Sequence, residues 1–430
     1  MNAKVLNALF IVFELSLGWS VAWSAQSQKP YPTNVTFTTR ATTPFAIEGL
    51  TMDATGNFYT TGRQLDTTKK CPVWRIGPSG SRVSVGFIPN SPACNPSGIA
   101  FDSIGNLYIA DAATGGKIWK VAPDASGCAS DDSNSSICTS IASSPTHSPT
   151  TAFASGVPGT NGLAFDKSGN LWTGDGTTGL GRVWKIYGAQ ANCATANNCE
   201  EVFRIQPMNN SIAFEGDVPN PGVGRVNSTI QPLQTPAAPN NPQNLVANGL
   251  AFNAAGDVLF VADTARGALW QVKFNTDGTL KSHLGCDETF HPNTLCLNHI
   301  FVADPRLEGV DGIALDINGN IWASVNERNA IAIFGTGVSA EVFRNPVNTN
   351  PRDPNFGLRN SSATDNGRIL ELPTSPFLLG NLFCTANSDG NRRDNSPNTA
   401  GEIGGTAAPR GKISCMDQPL TYPGLLLPIQ

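Results

Sequence analysis

The chain has 430 residues, with 43 Gly, 31 Pro and only 14% charged side chains, the composition of a turn-rich β protein. Its 28 basic and 33 acidic residues leave a formal net charge of −5, with no basic run to follow a phosphate backbone, which argues against nucleic acid as a partner.

Residues 1–25 read as a secretory signal peptide. Lys4 precedes an apolar stretch containing Leu9-Phe10-Ile11-Val12-Phe13, interrupted by Glu14, and small residues follow near Ala22-Trp23-Ser24-Ala25. After its removal no segment is long and apolar enough to span a bilayer. The expected location is therefore secreted or periplasmic.

From residue 48 onward one short pattern recurs five times. It reads Glu48-Gly49-Leu50-Thr51-Met52-Asp53, Ser97-Gly98-Ile99-Ala100-Phe101-Asp102, Asn161-Gly162-Leu163-Ala164-Phe165-Asp166, Asn248-Gly249-Leu250-Ala251-Phe252-Asn253 and Asp311-Gly312-Ile313-Ala314-Leu315-Asp316. Each runs through a Gly-Asn or Gly-Asp turn into a second apolar stretch, such as Leu107-Tyr108-Ile109-Ala110-Asp111. A third stretch follows, such as Arg182-Val183-Trp184-Lys185-Ile186, and a fourth shows in Glu201-Val202-Phe203-Arg204 and Glu341-Val342-Phe343-Arg344. Four strands per repeat make the blade of a β-propeller.

A sixth, degenerate repeat is legible in Pro376–Asn387 and Gly411–Cys415, without a ligand type at its opening position. The strand-like Asn34-Val35-Thr36-Phe37-Thr38 is expected to pair with it and close the ring. The fold class predicted is all-β, a six-bladed β-propeller of four-stranded blades over residues 34–417, with 418–430 as a C-terminal tail and no internal domain boundary. Long inter-strand loops without strand pattern occupy 122–150, 187–199, 206–245, 275–299 and 345–366.

The ten Cys fall in successive pairs: 71 and 94, 128 and 138, 193 and 199, 286 and 296, 384 and 415. Pairing between sequence neighbours is the simplest connectivity, and it suits export. No spacing resembles a structural zinc site. The sequons Asn34-Val35-Thr36 and Asn227-Ser228-Thr229 would be glycosylated only in a eukaryotic secretory pathway.

In a propeller the first strand of every blade lines the central channel, so Glu48, Ser97, Asn161, Asn248 and Asp311 converge on its axis. Two carboxylates and two amide oxygens are hard ligands of the kind calcium takes. Ser97 is a poor ligand and is expected to bond its neighbours instead. Asp111, Asp175, Asp263 and Asn326 end the second strands and are read as ties for the turns that follow. His147, His283, His291 and His299 lie outside the strand repeats and read as surface residues. No Gly-x-Ser-x-Gly elbow supports a serine hydrolase.

On these motifs the chain resembles the senescence-marker-protein and gluconolactonase-like family, whose more distant relatives include paraoxonase and diisopropylfluorophosphatase. The resemblance covers roughly residues 34–417. It implies one divalent ion, calcium or otherwise zinc, manganese or magnesium, held by Glu48, Asn161, Asn248 and Asp311. It further implies hydrolysis of a small-molecule lactone or related ester by a monomer. Asp311 would then act as general base or nucleophile, with Asn161 and Asn248 keeping ion and substrate in register. The paraoxonase-assisting His has no assignable counterpart. The alternative from another class is a non-catalytic secreted propeller that binds a protein or glycan and carries a structural calcium ion. A bond-forming activity of the strictosidine synthase kind is disfavoured by the intact Glu, Asn, Asn, Asp series.

Overall fold

The computed structural model describes residues 31–32, 34–90, 93–113, 115–143, 152–205, 245–288, 290–347, 349, 351–352, 369–388 and 410–429. The expected signal peptide, His147, the Asn227 sequon and most of the loops 206–245 and 345–366 lie outside the described residues.

Six antiparallel sheets, each built on four strands, correspond to the six repeats. Blade 1 is Thr51–Met52, Phe58–Thr61, Cys71–Ile76 and Arg82–Ile88, from the channel outward. Blades 2 and 3 begin with Pro96–Phe101 and Thr160–Phe165. Blades 4 and 5 begin with Ala247–Phe252 and Val310–Leu315. The fourth strands expected at 201–204 and 341–344 are present as Cys199–Arg204 and Val338–Arg344.

Blade 6 takes Pro373–Leu379, Leu382–Asn387 and Gly411–Met416 from the end of the chain and its outermost strand, Phe37–Thr43, from the beginning. Phe37 lies opposite Met416 and Thr43 opposite Gly411. The closure is as expected, but the strand runs several residues further than its sequence signature. Val35, Phe37, Ala41 and Thr43 are buried in this seam, whereas Thr36 and Thr38 turn outward to hydrogen-bond Asp417 at 2.8 and 2.7 Å.

The recurring Asp that ends a motif explains the turn after it. Asp316 Oδ1 accepts from the amides of Asn318 and Asn320, both at 3.0 Å, and the Trp322 indole donates to Oδ2 at 3.2 Å. Asp166 repeats the arrangement with Ser168, Asn170 and Trp172. The turn needs a left-handed residue, supplied by Gly319 with φ of 78° and by Gly105 with φ of 88°. Blade faces then pack through aromatic contacts. Trp172 meets Phe252 and Phe274 edge-on between blades 3 and 4, with ring centroids 5.6 and 5.4 Å apart.

The ten cysteines form five disulfides between sequence neighbours, 71–94, 128–138, 193–199, 286–296 and 384–415. Three of the loops they staple are more than connections. Cys128 exchanges two backbone hydrogen bonds of 2.8 Å with Ser84 on the outer strand of blade 1. Ala191–Asn192 pairs with Ala154–Ser155, the outer strand of blade 2. Arg204, on the outer strand of blade 3, donates to the Asn293 carbonyl at 2.9 Å and accepts from the Leu295 amide at 2.7 Å. Each loop thus covers the exposed edge of the preceding blade.

The segment expected as a tail crosses the turn end of the ring. Leu420 donates to Asn381 O at 2.7 Å, Gly424 to Gly380 O at 2.8 Å and Leu425 to Leu315 O at 2.9 Å. Ile429 is buried in a cluster with Trp172 and Phe252. Among the described residues no helix is long and apolar enough to cross a membrane.

Candidate metal centre

The glycine after each opening residue is what allows the first strands to meet. A Cβ on Gly49 would stand 2.2 Å from Ser97 O, on Gly98 2.3 Å from Asn161 O and on Gly162 2.3 Å from Asn248 O. On Gly249 it would lie 2.6 Å from Asp311 O, and on Gly312 2.6 Å from Thr374 O. Thr374 Oγ1 in turn donates to Glu48 O at 2.7 Å. The opening positions therefore close into a ring of six: Glu48, Ser97, Asn161, Asn248, Asp311 and Thr374. Thr374 escaped the sequence reading because Thr374-Ser375-Pro376 lacks the motif glycine.

Four side chains of the ring, Glu48, Asn161, Asn248 and Asp311, lie close enough to interact. Asn161, Asn248 and Asp311 are buried and Glu48 is partly so. The Asn161 amide stabilises the ionised form of the Glu48 carboxyl and the Asn248 amide that of Asp311. Burial pushes the Glu48 carboxyl above its ordinary range, against the pull of Arg63. Asp311 is raised further, first by burial and then by the Glu48 charge. The other two ring members turn into the backbone. Ser97 Oγ donates to Thr160 O at 3.1 Å, as its chemistry suggested, and Thr374 donates as above.

One atom of the set is left over. Asn248 Nδ2 donates to Thr264 Oγ1 at 3.0 Å, but Asn248 Oδ1 is buried without a hydrogen-bond partner among the described residues. An orphaned buried carbonyl costs about 1–3 kcal/mol unless a ligand takes it up. No group of three or more His, Cys, Asp or Glu suited to holding a metal occurs among the described residues. Two carboxylates with two amides fit a hard divalent cation better than zinc or copper. From Asn161, Asn248 and Asp311 a cavity of about 130 Å³ extends along the channel to Leu425, Leu427, Pro428 and Ile429 of the C-terminal segment.

A second ring backs the first. Arg63, Ala112, Gly176, Asn326 and Ser388 each donate a backbone N–H to the carbonyl two residues before their blade's opening position, at 2.9–3.1 Å. In blade 4 the strand register puts Thr264 at the same place. Asn326 Nδ2 donates to Asp311 Oδ2 at 3.0 Å. Grouping Asn326 with Asp111, Asp175 and Asp263 is thus wrong by one residue. Val325 opposes Val310 as Asp263 opposes Ala247, and a slip of one reverses the side-chain face.

The three aspartates do tie turns. Asp111 accepts from the amides of Asn95 and Ala113 and from the Trp119 indole. Asp263 holds Arg266 at 2.8 Å and the Trp270 indole at 3.0 Å, and Asp175 holds Arg182. His283, His291 and His299 sit in the 275–299 loop, which pairs with the outer strand of blade 3. His283 N donates to His299 Nε2 at 2.8 Å.

A comparison with curated proteins gives no match. Among solved structures, a luciferin-regenerating enzyme is 14% identical with a TM-score of 0.48, over 91% of this chain and 98% of its own. A gluconolactonase from Xanthomonas campestris is 13% identical with a TM-score of 0.47, over 91% of each chain. Regucalcin from Agrobacterium tumefaciens, described as a calcium-binding protein, is 14% identical with a TM-score of 0.46, over 88% of this chain and 92% of its own. At such scores these likenesses carry no functional argument. The family match spans the Asn248 and Asp311 motifs: residues 234–361 match the model described as SMP-30/Gluconolactonase/LRE-like region, the family that the opening motifs resemble.

Proposed function

We propose that this protein is a metal-dependent hydrolase of lactones or related esters, with Glu48, Asn161, Asn248 and Asp311 holding one divalent ion, by preference calcium. The observation that carries the reading is the unpartnered Asn248 Oδ1 in one ring with the buried Asp311 and partly buried Glu48 carboxyls. When bound, the ion supplies Lewis-acid polarisation of the substrate carbonyl.

The protein's own groups do the rest. Asp311 is held by Asn326 at 3.0 Å, which fixes the orientation of its carboxylate. That suits it to take a proton from an attacking water. Asn161, pinned against Glu48, orients the acyl group. The C-terminal segment across the turn end leaves the loop end as the route for substrate. Five disulfides and the signal-like start favour a secreted or periplasmic location.

Metal analysis of the purified protein, followed by a lactone and aryl-ester panel with and without chelator, tests the reading. Hydrolysis should vanish with chelator and return with calcium. Asp311→Asn should abolish turnover while its circular dichroism and melting stay those of a folded ring. Wild-type turnover in that variant would sink the assignment.

A further inference from the structure

Arg63 sets blade 1 apart. In the ring of second-strand exits it stands where the other blades place Ala112, Gly176, Thr264, Asn326 and Ser388, and it is the only charged side chain there. Its amide is fixed to Ala46 O at 2.9 Å, so the side chain starts from the channel wall beside Glu48. One guanidinium nitrogen lies 3.4 Å from Glu48 Oε2, with the Arg63 side chain 41% exposed. That distance is long for a charge-assisted hydrogen bond, which runs near 2.7–2.9 Å.

Arginines committed to neutralising a carboxylate look different in this protein. Arg328 makes two contacts with Glu341, at 2.9 and 2.8 Å. Arg306 clamps both oxygens of Asp304, at 2.9 and 2.8 Å. Arg63 makes one long contact, and its Nε is buried with no partner among the described residues. Of the five donors on a guanidinium, most are left to something else.

The charge balance says what. Glu48 and Asp311 carry two negative charges, which a divalent ion offsets; Arg63 then stands at the rim as an uncompensated cation. We propose that Arg63 is the anion-recognising residue of this site, and that the molecule bound at the ring carries a carboxylate within reach of the guanidinium. This rests on the metal-centre reading above. It makes Arg63 a specificity residue that holds a part of the substrate away from the reacting carbonyl.

The test uses calcium-loaded protein and two non-hydrolysable probes, 3-oxocyclopentane-1-carboxylate and the matching carboxamide, titrated by calorimetry. Wild-type protein should bind the carboxylate at least about tenfold more tightly than the amide, the discrimination of one charged contact. Arg63→Gln should bring that ratio close to one, and Arg63→Lys should retain part of it. Calcium affinity in Arg63→Gln should stay equal or rise, because a competing cation has gone. An unchanged ratio in Arg63→Gln, or no carboxylate preference in the wild type, overturns the proposal. Should Arg63→Gln fail to fold, the graded loss in Arg63→Lys decides. Absence of lactone hydrolysis alongside a retained carboxylate preference would instead remove the hydrolase reading and leave Arg63 as an anion anchor.

Discussion

Replacing Gly176 by Ala addresses the ring through a position that carries no chemistry of its own. Gly176 donates to Gly159 O at 2.9 Å, and its backbone is not left-handed, so only space is at stake. An added Cβ would stand 2.6 Å from Asn161 Cβ, 2.9 Å from Nδ2 and 3.1 Å from Cγ. Carbon atoms settle at about 3.5–4.0 Å, so Asn161 must retreat by roughly 1 Å. Rotation about χ1 gives no relief, since the nearest atom is Cβ itself. Overpacking of this kind costs about 1–3 kcal/mol of stability, and displacing a ligand by its support typically weakens a metal about 10–100-fold. Calcium titration by calorimetry reads the second effect, and melting in chelator reads the first. Ala112→Gly, at the equivalent place beside Ser97, should leave affinity unchanged, because no donor sits there. A folded Gly176→Ala protein with calcium affinity within about twofold of wild type would refute Asn161 as a ligand, at odds with the loss expected from such support positions.

Asn326→Ala should weaken calcium by about 10–100-fold through loss of the 3.0 Å bond to Asp311. Asp263→Asn should leave calcium affinity alone but cost about 3–5 kcal/mol in urea unfolding, because Arg266 is buried against it. Among the disulfides, loop-closure entropy ranks Cys384–Cys415, 31 residues apart, above Cys193–Cys199, 6 apart. Replacing both cysteines by Ala should cost about 3.7 kcal/mol for the first pair and about 2.2 for the second. Equal losses would show that loop length is not what sets their contribution.

Much of this architecture was legible because the same physical demand recurs in every blade. The opening donor, the glycine that admits the neighbouring strand and the Asp that ties the turn are each repeated, so position in the ring followed from alignment of the chain with itself. What stayed hidden broke that repetition. Thr374 has no glycine after it. Asn326 looks like the strand-ending aspartates because Val325, an apolar residue, occupies their register. The edge-covering loops pair over only one or two residues, too few for an alternation to show. The C-terminal segment has no period, since it is held by backbone bonds to turns and by scattered apolar contacts. Arg63 sits at a position where each blade places a different residue, so nothing in the repeat singled it out.

The seam between Phe37–Thr43 and Gly411–Met416 joins the two ends of the described chain, whereas the five disulfides span between 6 and 31 residues. Every covalent cross-link is therefore local, and the circle itself is held shut by non-covalent contacts: strand pairing, the Thr36 and Thr38 bonds to Asp417 and the buried residues of the seam. A ribosome adding about 5–20 residues per second needs roughly 20–75 s to deliver the partner of the first strand. During that interval Phe37–Thr43 has no complement, and the innermost strands have no complete circle to define. The geometry of the proposed ion site is consequently the last thing the growing chain acquires: a truncated product lacking Gly411–Met416 should build individual blades and their local disulfides yet retain no calcium.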